Sequence, residues 1–513
     1  MDIVELFLPL DEDPKALPEL AARAAGLLVT DLASIETVRR SLDARKGHPI
    51  GWRLKLRLRR TGEVEGAVPC GLPPPRAMRR PQVVIVGSGP AGLFAAWRLA
   101  QAGLTPTLVE RGKPVQARRR DLAALVQRGE LEGDSNYCFG EGGAGTFSDG
   151  KLYTRSKDRH AVDEVLKVLV EQGADAAIRI DSRPHIGSNR LPEILTRLRR
   201  TLEERGVTYR FSDPVTDLAI IGTAPQRRIA GVRLRSGDEL PADAVVLAVG
   251  HSARPIYELA LARGIALVPK AFAVGARIEH PQPLIDRLQY GAAAAHPALP
   301  AAFYHLTANV DSSARGVYSF CMCPGGWIIA SATEPEGLCV NGMSLKRRDS
   351  PFADAALVVT VEPRDFGSDP LGGVEFQRAL ERRAYQAGGG GYVAPAQQAK
   401  DFLAGRTSSG PLPSSYRPGL TCARLDEILP PLVTSALRQA LVRFDRTLPG
   451  FIAAGQLVGV ETRTSAPVRL LRNVDLQSPT LAGLYPAGEG AGYAGGIVSA
   501  AIDGLRIADA ILS

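Results

Sequence analysis

The alternation of apolar and polar positions divides the beginning of the chain into short elements. Val4–Leu10 predicts a strand, Pro14–Gly26 predicts an alanine-rich helix, and Ile35–Ala44 is interpreted as a second helix. In Gly51–Arg59, one tryptophan and three leucines alternate with basic residues, a period of two that is typical of a strand with one basic face in water. A proline-rich run at residues 71–76 is interpreted as a linker. We therefore expect a small α+β accessory domain over residues 1–79.

The pattern changes after the linker. Val83–Val86 is fully apolar, as expected of a strand buried in a parallel sheet. A helical pattern follows over Leu93–Ala102, and a second short strand follows over Thr107–Val109. This order of elements predicts a βαβ unit.

The turn inside this unit carries the spacing G-x-G-x-x-G. Gly87 permits a tight turn, Gly89 lets a pyrophosphate approach the backbone, and Gly92 allows the helix to pack closely on the strand. The helix N-terminus offers unpaired N–H groups to phosphates. Glu110 ends the second strand, where it is placed to accept hydrogen bonds from a ribose diol. The unit therefore predicts a dinucleotide site rather than an empty glycine-rich turn.

Composition limits the class of protein. The chain has 513 residues, of which 45% are hydrophobic and 23% are charged, which is ordinary for a globular protein with several cores. No apolar run approaches the ~20 residues that span a bilayer. The start of the chain lacks the basic segment of a secretory signal, and six scattered cysteines do not form a disulfide framework. We expect a cytoplasmic protein with no membrane partner.

The net charge of +8 raises the question of a polyanion partner. Many of the arginines stand singly or in short pairs, and neither an RNA-binding aromatic signature nor a zinc-finger spacing is found. We therefore expect a site for an anionic cofactor, and we regard a nucleic-acid partner as the weaker alternative.

Three further segments bear on the nucleotide. Residues 483–490 and 495–501 predict a strand that ends in Gly-Glu and is followed by a glycine-rich start of a helix, which resembles the second flavin fingerprint of the glutathione-reductase superfamily. In that superfamily the acid binds the ribityl chain. Residues 243–250 resemble its mid-chain strand, and a plain NAD dehydrogenase needs neither. Residues 139–150 hold five glycines, which favours close approach to a flat ligand over a flexible lid. FAD is the expected cofactor.

The resemblance extends over nearly the whole chain. Segments 140–151, 246–253, 272–280, 318–326, 459–467 and 485–504 resemble a family of bacterial FAD-dependent dehydrogenases, a branch of the superfamily that contains fumarate-reductase-like flavoproteins. The family implies a fold and non-covalent FAD, but no particular substrate. The predicted cofactor-binding residues are Gly87, Ser88, Gly89, Pro90, Ala91, Gly92, Glu110, Arg111, Arg118, Gly143, Ala144, Gly145, Thr146, Val215, Ala248, Gly250, Gly488, Glu489, Gly495, Gly496 and Ile497.

The fold class that follows is α/β, with a Rossmann-type FAD-binding domain over residues 80–275 and 456–513. Residues 272–280 predict a strand that leaves this domain, and 451–469 predict a return, so residues 276–455 form an inserted α+β cap that carries the substrate side. No second strand–G-x-G-x-x-G–helix unit of a glutathione-reductase-type NADPH domain is predicted after residue 150. NAD(P)H, if it is the electron donor, must therefore bind without a Rossmann domain of its own.

The cap supplies the candidate catalytic residues, and each has a structural alternative. Cys321 and Cys323 share one face of a predicted strand. Near the flavin, one of them could act as a nucleophile or a redox relay; the structural alternative is that both are small buried residues. Arg277 and Glu279 also share a face of a strand. They form either a structural ion pair, or an anion clamp at Arg277 with Glu279 as its acid–base partner. Arg463 is the preferred candidate for binding a substrate carboxylate. No metal site is predicted.

The sequence thus predicts an FAD-dependent oxidoreductase that transfers a hydride between a small organic substrate and flavin N5. Two alternatives stay open at this point. The first is a flavin-containing protein that binds or modifies nucleic acid through its basic N-terminal unit. The second is a redox sensor whose FAD is unreactive.

Overall fold

A computed structural model describes residues 2–63, 80–310 and 315–513. The predicted linker at residues 71–76 and the predicted end of the accessory domain at residue 79 lie outside these ranges. The helices are α1 (Leu17–Ala25), α2 (Pro90–Gln101), α3 (Val115–Arg128), α4 (Arg159–Glu171), α5 (Leu191–Glu204), α6 (Arg254–Ala262), α7 (Gln282–Tyr290), α8 (Pro363–Phe366), α9 (Gly372–Gly388), α10 (Ala399–Ala404), α11 (Leu425–Ile428), α12 (Pro431–Thr447), α13 (Phe451–Ala454) and α14 (Ile497–Leu512).

The strands belong to six sheets. In chain order they are β1 (Asp2–Pro9), β2 (Leu32–Asp43), β3 (Gly51–Arg60), β4 (Val83–Val86), β5 (Thr107–Glu110), β6 (Thr208–Phe211), β7 (Val215–Ile221), β8 (Arg228–Leu234), β9 (Glu239–Pro241), β10 (Ala244–Leu247), β11 (Leu267–Pro269), β12 (Phe272–Pro281), β13 (Thr307–Val310), β14 (Arg315–Cys323), β15 (Gly326–Ala330), β16 (Val340–Ser344), β17 (Phe352–Val361), β18 (Ala394–Gln398), β19 (Leu420–Cys422), β20 (Gln456–Glu461), β21 (Val468–Leu470) and β22 (Leu484–Pro486).

The N-terminal sheet is antiparallel, with the strand order β1-β3-β2 and α1 packed against β1. Leu54, Leu56 and Leu58 of β3 are buried beneath it, as the alternating pattern predicts. The helix predicted over Ile35–Ala44 is wrong, because these residues belong to β2. Thr37 and Val38 are β-branched and favour a strand, and β3 supplies the pairing partner that periodicity alone could not show.

The parallel sheet has the order β22-β10-β4-β5-β6. Every residue of β4 and β10 is buried, because helices cover the sheet, and α2 packs on α14. The helices α2 and α14 each follow the carboxyl end of a strand, β4 and β22 respectively. The predicted βαβ unit and the α/β fold class with a Rossmann-type region are confirmed.

The largest sheet has seven strands in the order β13-β14-β17-β12-β20-β18-β19. Its central strand, β12, pairs antiparallel with β17 and β20, and α12 packs against this sheet. The division into three domains stays a prediction. The boundary expected between residues 275 and 276 nevertheless falls inside β12, whose residues all pair with β17, and β20 belongs to the same sheet.

Three small sheets complete the architecture: β7-β8-β9, the pair β11-β21 and the pair β15-β16. The pair β15-β16 lies next to β14, β17 and β20 of the seven-stranded sheet. Among the described residues, no helix is both long enough and apolar enough to cross a membrane.

Candidate functional site

A cavity of about 530 Å³ lies between the two large sheets. Its walls include the residues that follow the carboxyl ends of β4, β10 and β22, the end of β5, and residues of β14 and β16 on the other side. Ligands of open α/β sheets bind at this edge, and the volume falls in the ~300–1,000 Å³ range of small-molecule sites. One end contains the glycine-rich turn with Gly87 and Gly89, and we call it the nucleotide end. The other contains the charged side chains of Asp149, Lys151 and Arg463, and we call it the charged end.

Gly89 gives the clearest indication of a ligand at the nucleotide end. Its φ is −72°, which any residue adopts, and a Cβ built on it would meet no protein atom within 4 Å. Neither conformation nor protein packing therefore requires glycine here. Gly89 lines the cavity immediately before α2, whose first N–H groups lack partners within the helix. A side chain at this position would fill the space in which a phosphate approaches those groups.

Glu110 has a different role from the one predicted for it. Oε2 accepts hydrogen bonds from the N–H and hydroxyl of Ser88 at 3.0 and 2.7 Å, and Oε1 accepts from the N–H groups of Gly112 and Gly140 at 2.9 and 3.1 Å. These four bonds use the lone-pair positions of the carboxylate. Glu110 lines the cavity, but it ties the phosphate turn to the glycine-rich segment and is a positioning residue.

Arg118 is predicted to bind the cofactor, but the structure places it beneath the glycine-rich segment, outside the cavity lining. The fully buried guanidinium donates to the backbone carbonyls of Asn136, Tyr137, Glu141 and Gly143, and burial lowers its pKa to about 10. Thr146 also lies outside the lining and donates its hydroxyl hydrogen to the Glu141 carbonyl. Both residues hold the shape of the segment through hydrogen bonds to its backbone.

The remaining cofactor residues divide into two groups. Those that line the cavity are Gly87, Gly89, Pro90, Ala91, Glu110, Arg111, Gly143, Ala144, Gly145, Val215, Ala248, Gly250, Glu489, Gly496 and Ile497. Four others, Ser88, Gly92, Gly488 and Gly495, are outside the lining. Gly92 packs against Gly87, where a Cβ would stand 1.9 Å from the Gly87 carbonyl oxygen, so its predicted packing role fits the structure.

Lys151 organises the charged end of the cavity. Its Nζ lies 3.6 Å from Sγ of Cys321, 3.5 Å from Sγ of Cys323 and 3.0 Å from a carboxylate oxygen of Asp149. Although burial acts in the opposite direction, Asp149 and the two thiols hold the pKa of Lys151 well above its usual value. Cys321 and Lys151 line the cavity, whereas Cys323 is buried behind them.

The surroundings shift the pKa values of the two thiols in opposite directions. Cys323 donates toward Cys321, and this bond, with Lys151 and Arg277 nearby, keeps the pKa of Cys321 well below its usual value despite burial. The same bond and burial raise the pKa of Cys323. Cys321 has a φ of 45°, in the left-handed region, within an irregular pairing of β14 with β17 between Phe320 and Cys323. Such backbone outliers cluster at functional sites.

Arg277 and Glu279 do not pair with each other. The fully buried Arg277 bonds to Asp354 at 2.8 Å and to Glu461 at 3.0 Å, and also donates to the Cys321 carbonyl at 2.7 Å. Glu279 accepts from the N–H of Ser415 instead. Neither lines the cavity, so the predicted clamp and acid–base roles are wrong, and Arg277 supports the backbone of Cys321 from behind.

Arg463 lines the cavity, but its charge is already paired. It bonds to both carboxylate oxygens of Glu381, at 2.9 and 2.7 Å, and Arg254 bonds to the same carboxylate at 3.0 and 2.9 Å. Although burial opposes it, these two arginines hold the pKa of Glu381 below its usual range. This pairing removes the reason for assigning Arg463 to a substrate carboxylate.

Several residues of the charged end were missed by sequence reasoning. Asp149 and Lys151 end the glycine-rich segment, His251 follows Gly250, and Asn341 lies on β16. Burial, with Arg463 and Arg254 nearby, lowers the pKa of His251 to about 4, so its imidazole is neutral near pH 7. The sequence signal that could have identified Lys151 is its position directly after Gly150, the last glycine of the glycine-rich segment.

Glu489, predicted from the Gly-Glu fingerprint, lines the cavity shortly after the end of β22. Burial raises its pKa to about 7, and the N–H of Gly496 and the charge of Lys270 only partly offset this. Its carboxyl group therefore keeps its proton to a higher pH than a glutamic acid side chain in water does.

Comparison with known proteins assigns the family. Residues 271–464 match the model of the FAD-dependent protein C-terminal domain, residues 85–116 match an NAD(P)-binding Rossmann-like domain, and residues 1–59 match a domain of unknown function. An uncharacterised protein of Clostridium beijerinckii is 41% identical over 533 residues, covering 99% of this chain and 98% of that protein. The chain belongs to this family of bacterial FAD-dependent proteins. The resemblance inferred from the sequence is confirmed.

Solved structures are similar to this flavoprotein at much lower identity. Glycine oxidase from Geobacillus kaustophilus is 13% identical, with 85% of this chain and 95% of that chain covered and a TM-score of 0.33. Glycine oxidase from Bacillus cereus is 11% identical, with 84% and 97% covered and a TM-score of 0.32. At identities and TM-scores this low, neither a substrate nor a site residue is carried over from these structures to this chain. The family supports FAD as the cofactor and the oxidoreductase class, and the open space at Gly89 fits its pyrophosphate.

Proposed function

We propose that this flavoprotein transfers a hydride between a small organic substrate and the N5 atom of a non-covalently bound FAD. The observation that supports this most is Gly89, whose side-chain position is open only toward the cavity. The same cavity continues to a charged end with ionisable groups, as a redox site needs. FAD, when bound, supplies the two-electron chemistry.

The chain's own residues divide the remaining tasks. The N–H groups at the start of α2 would hold the pyrophosphate, with Glu110 fixing the turn that presents them. Glu489, which follows β22, would hold the ribityl chain, and Gly496, at the start of α14, would face the flavin carbonyl side. Pro255, Ile256 and Leu259 give the cavity an apolar wall that excludes water.

We expect a small-molecule partner and no nucleic acid. The basic side chains of β3 are paired with acids on neighbouring strands: Arg53 with Asp43 at 2.7 Å, Arg57 with Glu36 at 2.6 Å, and Lys55 with Glu5 at 3.7 Å. A surface whose charges are matched in this way attracts phosphates weakly. NADH or NADPH could serve as the electron donor from solution.

The test begins with the purified protein. We expect a yellow protein with about one FAD per chain that acid precipitation releases into the supernatant, and a flavin that anaerobic mixing with NADH, NADPH or pooled metabolites reduces. A chain that takes up no FAD on reconstitution would contradict the assignment. FAD that is bound but is reduced by no donor, or is never reoxidised by an acceptor, would favour the redox sensor.

A further inference from the structure

We propose that Cys321 and Cys323 form a redox-active pair that exchanges two electrons with the flavin, with the Lys151 ammonium beside both sulfurs. The inference rests on the proposed function, because FAD is the other partner in the exchange. It goes beyond that function by assigning a second redox centre to the chain.

The arrangement of the sulfurs carries the proposal. One ammonium lies within 3.6 Å of both, and Cys323 Sγ turns back to within 3.3 Å of the Cys321 carbonyl, so both thiols lie on one side of the irregular strand. Of these two cysteines, Cys321 lines the cavity and Cys323 does not. A thiolate at the surface with a protonated thiol behind it is the arrangement from which a disulfide forms.

The neighbours of the pair explain why it keeps this arrangement. Arg277 donates to the Cys321 carbonyl at 2.7 Å and is anchored by Asp354 and Glu461, which fixes the left-handed backbone of Cys321. Asp149 lies 3.0 Å from Lys151 and keeps its ammonium oriented. A purely structural pair of small apolar residues would need none of these charged groups.

The exchange balances as follows. The S–H bond of Cys323 breaks and an S–S bond forms between Cys323 and the Cys321 thiolate; the two electrons and the Cys323 proton pass to FAD. The reverse reaction cleaves the disulfide and returns the thiolate and thiol. No further oxidant or reductant enters this step.

Counting electrons and thiols tests the pair directly. Anaerobic titration of the holoprotein with dithionite should take about four electrons per FAD in the wild type, and about two in Cys321→Ser and Cys323→Ser. Cys422→Ser, on β19 away from the cavity, is the matched control and should keep the wild-type count. After reduction and denaturation, all six cysteines of the chain should react with a thiol reagent. After oxidation and denaturation, four should react, because the disulfide removes two thiols.

Alkylation by iodoacetamide tests the thiolate independently of activity. Cys321 should react at a pH well below the ordinary thiol pKa of about 8.5, and Lys151→Met should shift that onset upward by about one to two pH units. Cys138 lines the same cavity, with its sulfur next to the Ser252 hydroxyl, and serves as the internal control. Bound FAD should slow the labelling of Cys321.

The outcomes separate this inference from the proposed function. Two electrons per FAD in the wild type, with six thiols in the oxidised protein, would overturn the redox pair even if Cys321 is a thiolate, and would leave the FAD assignment intact. Failure to bind FAD would instead contradict the proposed function. If Cys323→Ser does not fold, Cys323→Ala replaces it in the same titration.

Discussion

The two ends of the cavity are built on different principles. At the nucleotide end, backbone groups of a contiguous turn face the ligand, and the buried side chains Glu110 and Arg118 hold that backbone in place. At the charged end, side chains from separate parts of the chain face the cavity, and Lys151 and Arg463 have acidic partners within 3.0 Å.

This difference indicates which structural feature determines the behaviour of each end. Backbone N–H groups recognise a phosphate whatever their side chains are, so the nucleotide end depends on shape and on glycine. The charged end depends on which ionic pairs are complete, because a buried charge without a partner is costly. Changes at one end should therefore alter cofactor binding, and changes at the other should alter stability and proton affinity.

Removing Arg277 should show how strongly the charged end depends on complete pairs. Arg277→Met leaves two buried acids without their cation, and we expect a loss of about 3–5 kcal/mol in the free energy of unfolding. Arg57→Met, which breaks an exposed pair on β3, is the control and should change stability far less. Denaturant unfolding measures both. Equal stability of the two variants would mean that the pairs around Arg277 do not hold this end together.

Glu110→Ala tests whether the nucleotide end is held by one carboxylate. Three buried N–H groups and the Ser88 hydroxyl lose their acceptor, so we expect a loss of about 2–4 kcal/mol in apoprotein stability, together with weaker FAD binding. Thermal unfolding and a fluorescence titration with FAD provide the two readouts. Weaker FAD binding with unchanged apoprotein stability would restore the ribose contact predicted from the sequence.

Glu489→Gln tests the proton affinity where the two ends meet. Burial raises the pKa of Glu489 from about 4.5 in the unfolded chain to about 7, so the folded state binds the proton more tightly. The wild-type apoprotein therefore loses stability as the pH rises through this window. The variant should be more stable by about 3 kcal/mol near pH 8, with the difference vanishing near pH 4. Identical pH profiles would contradict a buried, shifted carboxyl group.

The fold was largely predictable because its decisive signals are local. The apolar strand Val83–Val86, the glycine spacing after it and the return of the same pattern near the C-terminus follow from residues that are close in sequence. The error at Ile35–Ala44 has the opposite cause. The strand β2 forms because β3 pairs with it. The residues of one segment do not show which other segment will pair with them.

The candidate site divides in the same way. Gly87, Gly89 and Gly496 were identified from motifs because their role belongs to the local backbone. Arg463 was assigned to a substrate because its partner, Glu381, lies 82 residues away on α9. Lys151 was missed for the same reason, since its sulfur contacts are 170 and 172 residues distant. Long-range charge pairing is the information that a motif lacks.

The most direct test of the account is the FAD occupancy of Gly89→Val, because it asks whether the open space in front of α2 holds the pyrophosphate. The control is Gly410→Val, where a side chain also meets no protein atom within 4 Å but lies outside the cavity lining. Both variants should fold with the stability of the wild-type apoprotein. The account predicts that Gly89→Val is purified without flavin and binds added FAD at least ~100-fold more weakly, while Gly410→Val remains yellow. Full FAD occupancy in Gly89→Val would contradict it.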